Sequence, residues 1–425
     1  MHKWTSDFLD TVASQIRWKS ARPVVLRELE DHLEDQCSAY LNSGMNLQQA
    51  RMESLRQMGD PTEVGLHQNA IHRPKHSMEI VVILAVLLFI NLFIWMQVFY
   101  DGSLSKWLWT PLLAMGLGLS AMSAVYFLPW NRLLNHIGLL SVIGWTGLFL
   151  VAVHLNHSRS SDYAVYLFPL LYVCILYHLR NKGVWGYLLH LLVFGVLFWL
   201  SVNLFVFLGT LFFFVTSLIA GILVIKYGAF QLRKWKLALM VLPHALLAGI
   251  YVPQFLQMNS TDRWLPQRFS MYFDQILDHA NLIGPGTAFQ TVLYDRTVLI
   301  TPKEAMLPFM DECDFFLSTV IYRCGWLVGI GLVVFLVSFF LWCLKKGMTQ
   351  PTLWSKLLSC AIVVPLLLQT LLHTTNNLFG FIASAQLPLL SYGNTYRILD
   401  LTMIGLLLSV LRNRTILRDT KPKIA

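Results

Sequence analysis

Three acidic residues stand where a polar segment of the chain meets a long apolar one. Asp311, Glu312 and Asp314 fall within four residues, and positions 315–344 are mostly apolar. A carboxylate at the mouth of a membrane span is partly desolvated and lies near like charges, and both effects raise its pKa. It could then act as a general base on a hydroxyl of a lipid-linked substrate. The alternative interpretation is that these acids only mark the water boundary of the span.

Three other charged residues lie inside apolar segments. Arg323 is nine residues into its segment, roughly 13 Å from Asp314 at about 1.5 Å per residue. A charge at that depth is usually paired or functional, and we predict an ion pair between Arg323 and Asp400. Arg397, nearer the outer face, could bind the phosphate oxygens of a lipid diphosphate bidentately. An interfacial anchor is the alternative for Arg397.

The overall composition indicates a membrane protein. The 425 residues are 56% hydrophobic and 13% charged, with a mean hydropathy of +0.57, which excludes a soluble protein with a single core. The net charge of +9 does not predict a nucleic-acid partner, because most Lys and Arg residues stand in short links between apolar segments. The six cysteines are scattered, so we predict neither a disulfide framework nor a metal site made by them.

Ten apolar segments are candidates to cross a bilayer core of about 20 residues. They lie near 78–100, 107–128, 135–154, 162–179, 184–200, 202–225, 236–253, 315–344, 354–373 and 387–411. With the N-terminus inside, the cytosolic segments hold 24 Lys and Arg residues and the outer segments hold 6. We therefore predict an all-α polytopic protein with about ten transmembrane helices over 78–412, a large extracytoplasmic loop over 254–313, a basic cytosolic tail over 413–425 and both termini in the cytosol.

Residues 1–77 predict a small cytosolic helical domain. Apolar residues recur at three- and four-residue steps from Val24 to Leu41, with charged residues on the other face. Asn46 is expected to cap a second helix, and Asp60 a third helix with Pro61 at its first position. The pattern indicates a three-helix interaction domain without a catalytic set. It resembles the permease prefix domain found ahead of membrane proteins in Gram-positive bacteria.

The region from Arg263 to Arg412 resembles the SEDS family of membrane proteins, which includes FtsW, RodA and SpoVE. The family has a large outer loop that ends in a Leu-Pro motif followed by Asp-Phe-Ile-Phe and a glycine-rich stretch. Leu307-Pro308, Asp314 to Leu317 and Gly325 to Gly329 occupy those places. The last outer motif of the family runs from Asn-Ile-Gly to Leu-Pro-Phe-Ile-Ser-Tyr-Gly-Gly, and its counterparts are Asn377 and Leu387 to Gly393.

The chain departs from the family pattern at several places. The Glu-Glu pair that follows the family's Asp is Tyr322-Arg323, the preceding His-Thr is Glu312-Cys313, and the second glycine after Ser-Tyr-Gly is Asn394. The fourth apolar segment has no Gln-Pro-Ser-Glu motif. The resemblance therefore indicates a divergent member.

The resemblance implies an inverting peptidoglycan glycosyltransferase of the bacterial cytoplasmic membrane, which polymerises lipid II in division, elongation or sporulation. It implies Asp314 as the catalytic base and undecaprenyl diphosphate as the leaving group. It allows a divalent cation, Mg²⁺ or Mn²⁺, at the diphosphate, and implies a class B penicillin-binding protein as partner. The expected substrate-binding residues are Arg397, Asn377, Ser391, Tyr392 and Gly393. The alternative is a non-catalytic scaffold or regulator of the cell-wall synthesis machinery.

Overall fold

The computed structural model is mainly helical in the part of the chain that it describes. The described residues are 4–74, 76–99, 104–154, 167–204, 207–228, 230, 242–247, 249, 316–379, 386–391 and 394–414. These residues contain no β-strand. The prediction of an all-α protein is confirmed.

The N-terminal domain consists of four helices. They are α1 (Ser6–Gln15), α2 (Arg22–Asn42), α3 (Leu47–Met58) and α4 (Pro61–Ile71). Both predicted caps are present: the Asn46 side chain accepts a hydrogen bond from the Gln49 amide at 2.8 Å, and the Asp60 carboxylate accepts one from the Glu63 amide at 3.0 Å.

The sequence predicts three helices in this domain, and the structure has four. Helix α1 buries Phe8, Leu9 and Val12 in the core of this domain, so it belongs to the fold. Its N-cap, Thr5, makes no side-chain capping hydrogen bond, unlike Asn46 and Asp60 at the starts of α3 and α4.

The rest of the chain is a multi-pass membrane domain. Its helices are α5 (Met78–Phe99), α6 (Leu104–Tyr126), α7 (Trp130–Asn135), α8 (Ile137–His154), α9 (Leu167–Leu179), α10 (Gly183–Leu204), α11 (Phe207–Lys226), α12 (Phe316–Cys324), α13 (Trp326–Met348), α14 (Leu353–Phe379) and α15 (Asn394–Arg412). Among the described residues, five helices are long and apolar enough to cross a membrane: Trp109–Tyr126, Gly183–Val202, Trp326–Met348, Leu353–Leu378 and Asn394–Arg412. The same residues include four shorter apolar helices, which cover Met78–Ile94, Ile137–Gly147, Leu167–Leu179 and Thr210–Lys226. The count of ten spans stays a prediction, as does the extracytoplasmic loop 254–313, which lies outside the described residues.

The segment predicted as one span over 315–344 is two helices in the structure. Gly325 has φ +91°, a value that glycine adopts without steric cost, and it separates α12 from α13. Apolar character alone does not reveal such a break, because every residue from 324 to 344 except Gly and Ser is apolar. The prediction of a single continuous helix here was wrong.

Helix α12 folds back along α13. A Cβ on Gly329 would overlap Ile321 Cγ1, and Leu317 and Ile321 pack against Val333. In one continuous helix Ile321 and Gly329 would be about 12 Å apart. The start of α12 therefore lies beside the body of α13, and Arg323 falls in the last turn of a short helix instead of deep in a long one.

One end of the membrane domain, which we call the basic end, carries Lys346, Lys356 and Arg412 and contacts the N-terminal domain. The Lys346 Nζ atom forms a 2.9 Å ion pair with the Glu79 carboxylate at the start of α5. The Arg412 guanidinium lies 5.9 Å from the centre of the Trp18 ring, within the range of a cation–π contact. The positive-inside rule predicts that this end faces the cytosol.

Candidate active site

Three of the six predicted site residues lie among the described residues, and all three are buried. Asn377 is near the end of α14, Ser391 is in the turn 386–391, and Arg397 is in the first turn of α15. Asp314, Tyr392 and Gly393 lie outside the described residues. Their expected roles stay predictions.

The start of α12, two residues after Asp314, is held by side chains of α14. The Leu317 amide donates to His373 Nε2 at 3.3 Å, and the Ser318 amide donates to Asn377 Oδ1 at 3.0 Å. The Ser318 hydroxyl donates to the same oxygen at 2.7 Å. Asn377 is thus used inside the protein, at the helix that follows the predicted base.

The turn 386–391 is closed by its own serine. The Leu387 amide donates to Ser391 Oγ at 2.6 Å, and the Ser391 amide donates back to the Leu387 carbonyl at 2.9 Å. Ser391 is buried, so its hydroxyl belongs to the interior of the turn. A contact between Ser391 and substrate stays a prediction.

Two other helices hold the same turn in a strained conformation. Leu389 has φ +66°, and a left-handed conformation costs a residue with a Cβ about 1–2 kcal/mol. The Leu389 amide donates to Asp400 Oδ2 at 2.8 Å, and the Asn91 amide group donates to the Leu390 carbonyl. Such strain persists only where surrounding contacts fix the backbone. Here α5 and α15 supply those contacts.

Arg397 and Asp400 lie three residues apart on α15, so their side chains project from the same side of the helix. The two charges interact electrostatically. Arg397 Nη1 also donates to the Pro111 carbonyl in α6 at 3.3 Å. The predicted ion pair between Arg323 and Asp400 stays a prediction, because the Arg323 side chain lies outside the description.

Replacing Asp400 by leucine should destabilise the turn. The Leu389 amide would be buried without an acceptor, which costs about 1–3 kcal/mol. We expect the Tm in detergent, followed by tryptophan fluorescence, to fall by roughly 2–4 °C for each kcal/mol lost. Asp400→Asn retains an oxygen acceptor and should lose less than half as much. If Asp400→Leu has the same Tm as the unsubstituted protein, the hydrogen bond from the Leu389 amide to Asp400 does not hold the turn.

The contacts of His373 and Asn91 were not predicted from the sequence. His373 is fully buried and accepts a hydrogen bond from the Leu317 amide of α12. A signal was available, since Gln369, His373 and Asn377 are spaced by four residues and share one face of an apolar helix. Such polar residues inside a membrane helix usually face the bundle interior.

This polar face of α14 includes groups that have no hydrogen-bond partner within the described structure. These groups are Nε2 and Oε1 of Gln369 and Oδ1 of Asn376, and all three atoms are buried. A second buried polar set lies between α9, α10, α11 and residue 244, where Tyr172 contacts His190 and Ser217 Oγ lies 3.0 Å from His244 Nε2. The two sets are on different helices, and only the first touches α12.

No group of three or more His, Cys, Asp or Glu side chains that could hold a metal ion occurs among the described residues. The acidic residues 311, 312 and 314 lie outside them. The divalent cation at the diphosphate therefore stays a prediction.

Two solved structures share the fold of this chain. One is a peptidoglycan synthase complex, from work on the structural coordination of polymerization and crosslinking, with a TM-score of 0.58 and 19% identity. The other is the rod-shape-determining protein RodA of Thermus thermophilus, in an aspartate-to-alanine variant, with a TM-score of 0.53 and 19% identity. Each match covers 80% of this chain and 98% of the other. No protein-family model and no curated protein matches the chain. The membrane domain therefore has the RodA fold.

Proposed function

We propose that this protein is a peptidoglycan glycosyltransferase that polymerises lipid II at the outer face of the bacterial cytoplasmic membrane. The observation that carries the proposal is the fold match, which extends over 98% of both peptidoglycan-related structures. The motifs that resemble the SEDS family support it, because the turn 386–391 and the start of α12 are both buried and held by several helices.

In the proposed reaction Asp314 acts as the general base. Its carboxylate takes the proton from the 4-hydroxyl of the acceptor sugar, and the hydroxyl oxygen forms a bond to the anomeric carbon of the donor. The bond from that carbon to the diphosphate oxygen breaks, and undecaprenyl diphosphate leaves with the electron pair. Attack opposite to the leaving group inverts the configuration at the anomeric carbon.

The buried turn 386–391 and the charged pair of α15 would then form one wall of the site. Asp400 fixes the Leu389 amide, and Arg397 ties α15 to α6 at the Pro111 carbonyl. Arg397 in this arrangement supports the wall and can also supply N–H donors to phosphate oxygens. Tyr392 and Gly393 stand between this turn and α15 in the sequence, and we propose that they complete the wall.

A class B penicillin-binding protein is the proposed partner, because polymerised strands must be crosslinked by a transpeptidase. One of the two similar structures is a synthase complex that coordinates these two activities. Whether the process is division, elongation or sporulation depends on that partner.

The test is polymerisation of labelled lipid II by the purified full-length protein, with and without each candidate penicillin-binding protein. We expect glycan chains that lengthen with time and release of undecaprenyl diphosphate in equal molar amount to the bonds formed. Well-folded protein that makes no chains with any partner would contradict the proposal.

A non-catalytic scaffold of the cell-wall machinery is the second candidate. The observation that favours it is the loss of the Glu-Glu pair, which is Tyr322-Arg323 in this chain, and of the Gln-Pro-Ser-Glu motif. A scaffold would bind the penicillin-binding protein and leave lipid II unchanged. The same experiment separates the two functions when binding is measured beside polymerisation.

A further inference from the structure

The cap of helix α12 comes from another helix. The first four amides of an α-helix have no acceptor within the helix, and a side chain just before the helix usually accepts from one of them. In α12 the Leu317 and Ser318 amides are bonded to His373 and Asn377 of α14, 56 and 59 residues away in sequence. We call this pair of acceptors the α14 cap.

Both polar atoms of the Asn377 side chain make hydrogen bonds in the α14 cap. Its Oδ1 atom accepts from the Ser318 amide and the Ser318 hydroxyl, while its Nδ2 atom donates to the His373 carbonyl at 2.8 Å. If the Asn377 amide were flipped, its NH₂ group would point at the Ser318 amide and the Ser318 hydroxyl, which are both donors here. Only the present orientation therefore makes these hydrogen bonds. His373 and Asn377 are both buried. The bond from Nδ2 to the His373 carbonyl therefore fixes the orientation of the Asn377 side chain on α14.

Helix α12 depends on this cap for its position. It has only nine residues, and a helix of that length is marginal in isolation, so packing and capping decide where it begins. Gly325 separates it from α13, so α13 does not extend it by continuous hydrogen bonding. The α14 cap supplies two hydrogen bonds to the amides of its first turn.

We infer that His373 and Asn377 are positioning residues for the Asp314 carboxylate. Asp314 stands two residues before Phe316, so its Cα lies within about 7 Å of the first residue of α12. Because two peptide units join these residues, we expect a shift of the start of α12 to move Asp314 as well. The inference rests on the proposed function, since it assigns the cap to the base of that reaction.

The test compares adjacent asparagines. Asn377→Ala removes the acceptor, whereas Asn376→Ala changes the same residue type, also buried, that makes no hydrogen bond through its Oδ1 atom. We measure hydrogen exchange in peptides covering 316–324, and kcat and KM for lipid II polymerisation, on full-length protein with its partner. Asn377→Ala should speed exchange at the Ser318 amide and lower kcat by about 10²-fold with KM nearly unchanged, the effect of a misplacement of about 1 Å.

Asn376→Ala should leave both readouts at the values of the unsubstituted protein. If Asn377→Ala does not fold, His373→Leu removes only the acceptor of the Leu317 amide and should show faster exchange there with a smaller loss of kcat. Unchanged exchange in both variants would overturn the cap, and faster exchange with unchanged kcat would overturn its role in positioning. If the unsubstituted protein makes no chains, the proposed function and the positioning role both fail, while the exchange result still decides whether the cap exists.

Discussion

Replacing Asp314 by asparagine should lower the rate of glycan-chain formation by about 10²–10⁴-fold, the contribution that a general base usually makes. The amide cannot accept the proton of the acceptor hydroxyl at neutral pH, yet it has nearly the same size as the carboxylate. Binding of the penicillin-binding partner and the Tm in detergent should stay at the values of the unsubstituted protein. The measurement is the initial rate with saturating labelled lipid II.

Two neighbouring acids provide the matched controls. Asp311→Asn and Glu312→Gln each remove one negative charge from the same short segment. We expect each to change the rate by less than about tenfold, since a neighbouring surface charge acts only through a screened interaction. A control that loses as much activity as Asp314→Asn would show that the base has been assigned to the wrong residue.

Local features of this fold could be predicted from the sequence, and they are correct. Asn46 and Asp60 cap α3 and α4 because a capping side chain, the first turn and the residues that follow are all within four positions. Most of the predicted spans likewise contain a described helix, because apolar length is a property of one segment. The membrane class and the all-α fold follow from these local signals.

Non-local features could not be predicted in the same way. The α14 cap joins residues 56 and 59 positions apart, and neither segment shows by itself which helix it will meet. Leucine disfavours the left-handed backbone conformation that Leu389 adopts. The conformation is held by hydrogen bonds from the Leu389 amide to Asp400 and from Asn91 to the Leu390 carbonyl. The motif therefore did not reveal the contacts of Asn377 and Ser391, which only the folded structure shows.

The helix break at Gly325 has a local sign, a glycine, but a non-local cause. Glycine is common inside transmembrane helices, so its presence in an apolar segment does not indicate a break. The positive φ of Gly325 arises because Ile321 packs against Gly329, which only the folded arrangement of α12 on α13 reveals. The break therefore places the start of α12 beside α13 instead of in line with it.

Gly405→Val should cause the largest loss of stability that we predict. Gly405 on α15 lies against the backbone of α6: a Cβ there would be 2.7 Å from the Met122 carbonyl oxygen and 2.8 Å from Met122 Cα. Backbone atoms cannot turn aside as the end of a side chain can, so the two helices must separate. Separation also weakens the bond from the Ser409 hydroxyl to the Tyr126 carbonyl, now 2.9 Å long. Overpacking usually costs about 1–3 kcal/mol, and we expect the upper end of that range.

Gly116→Val is the matched control for this prediction. Gly116 lies on the same α6 helix, and a Cβ there would meet nothing within 4 Å. Both variants add the same β-branched side chain to a helix of the same pair, so the difference in Tm reports the close approach of the helices alone. At roughly 2–4 °C for each kcal/mol, Gly405→Val should melt at least about 6 °C below Gly116→Val. Because Arg397 reaches Pro111 only when α6 and α15 are this close, polymerisation should fall in Gly405→Val even below its Tm. Equal Tm values for the two variants would mean that α6 and α15 are not packed backbone to backbone, and that the wall containing the turn 386–391 is not held by their contact.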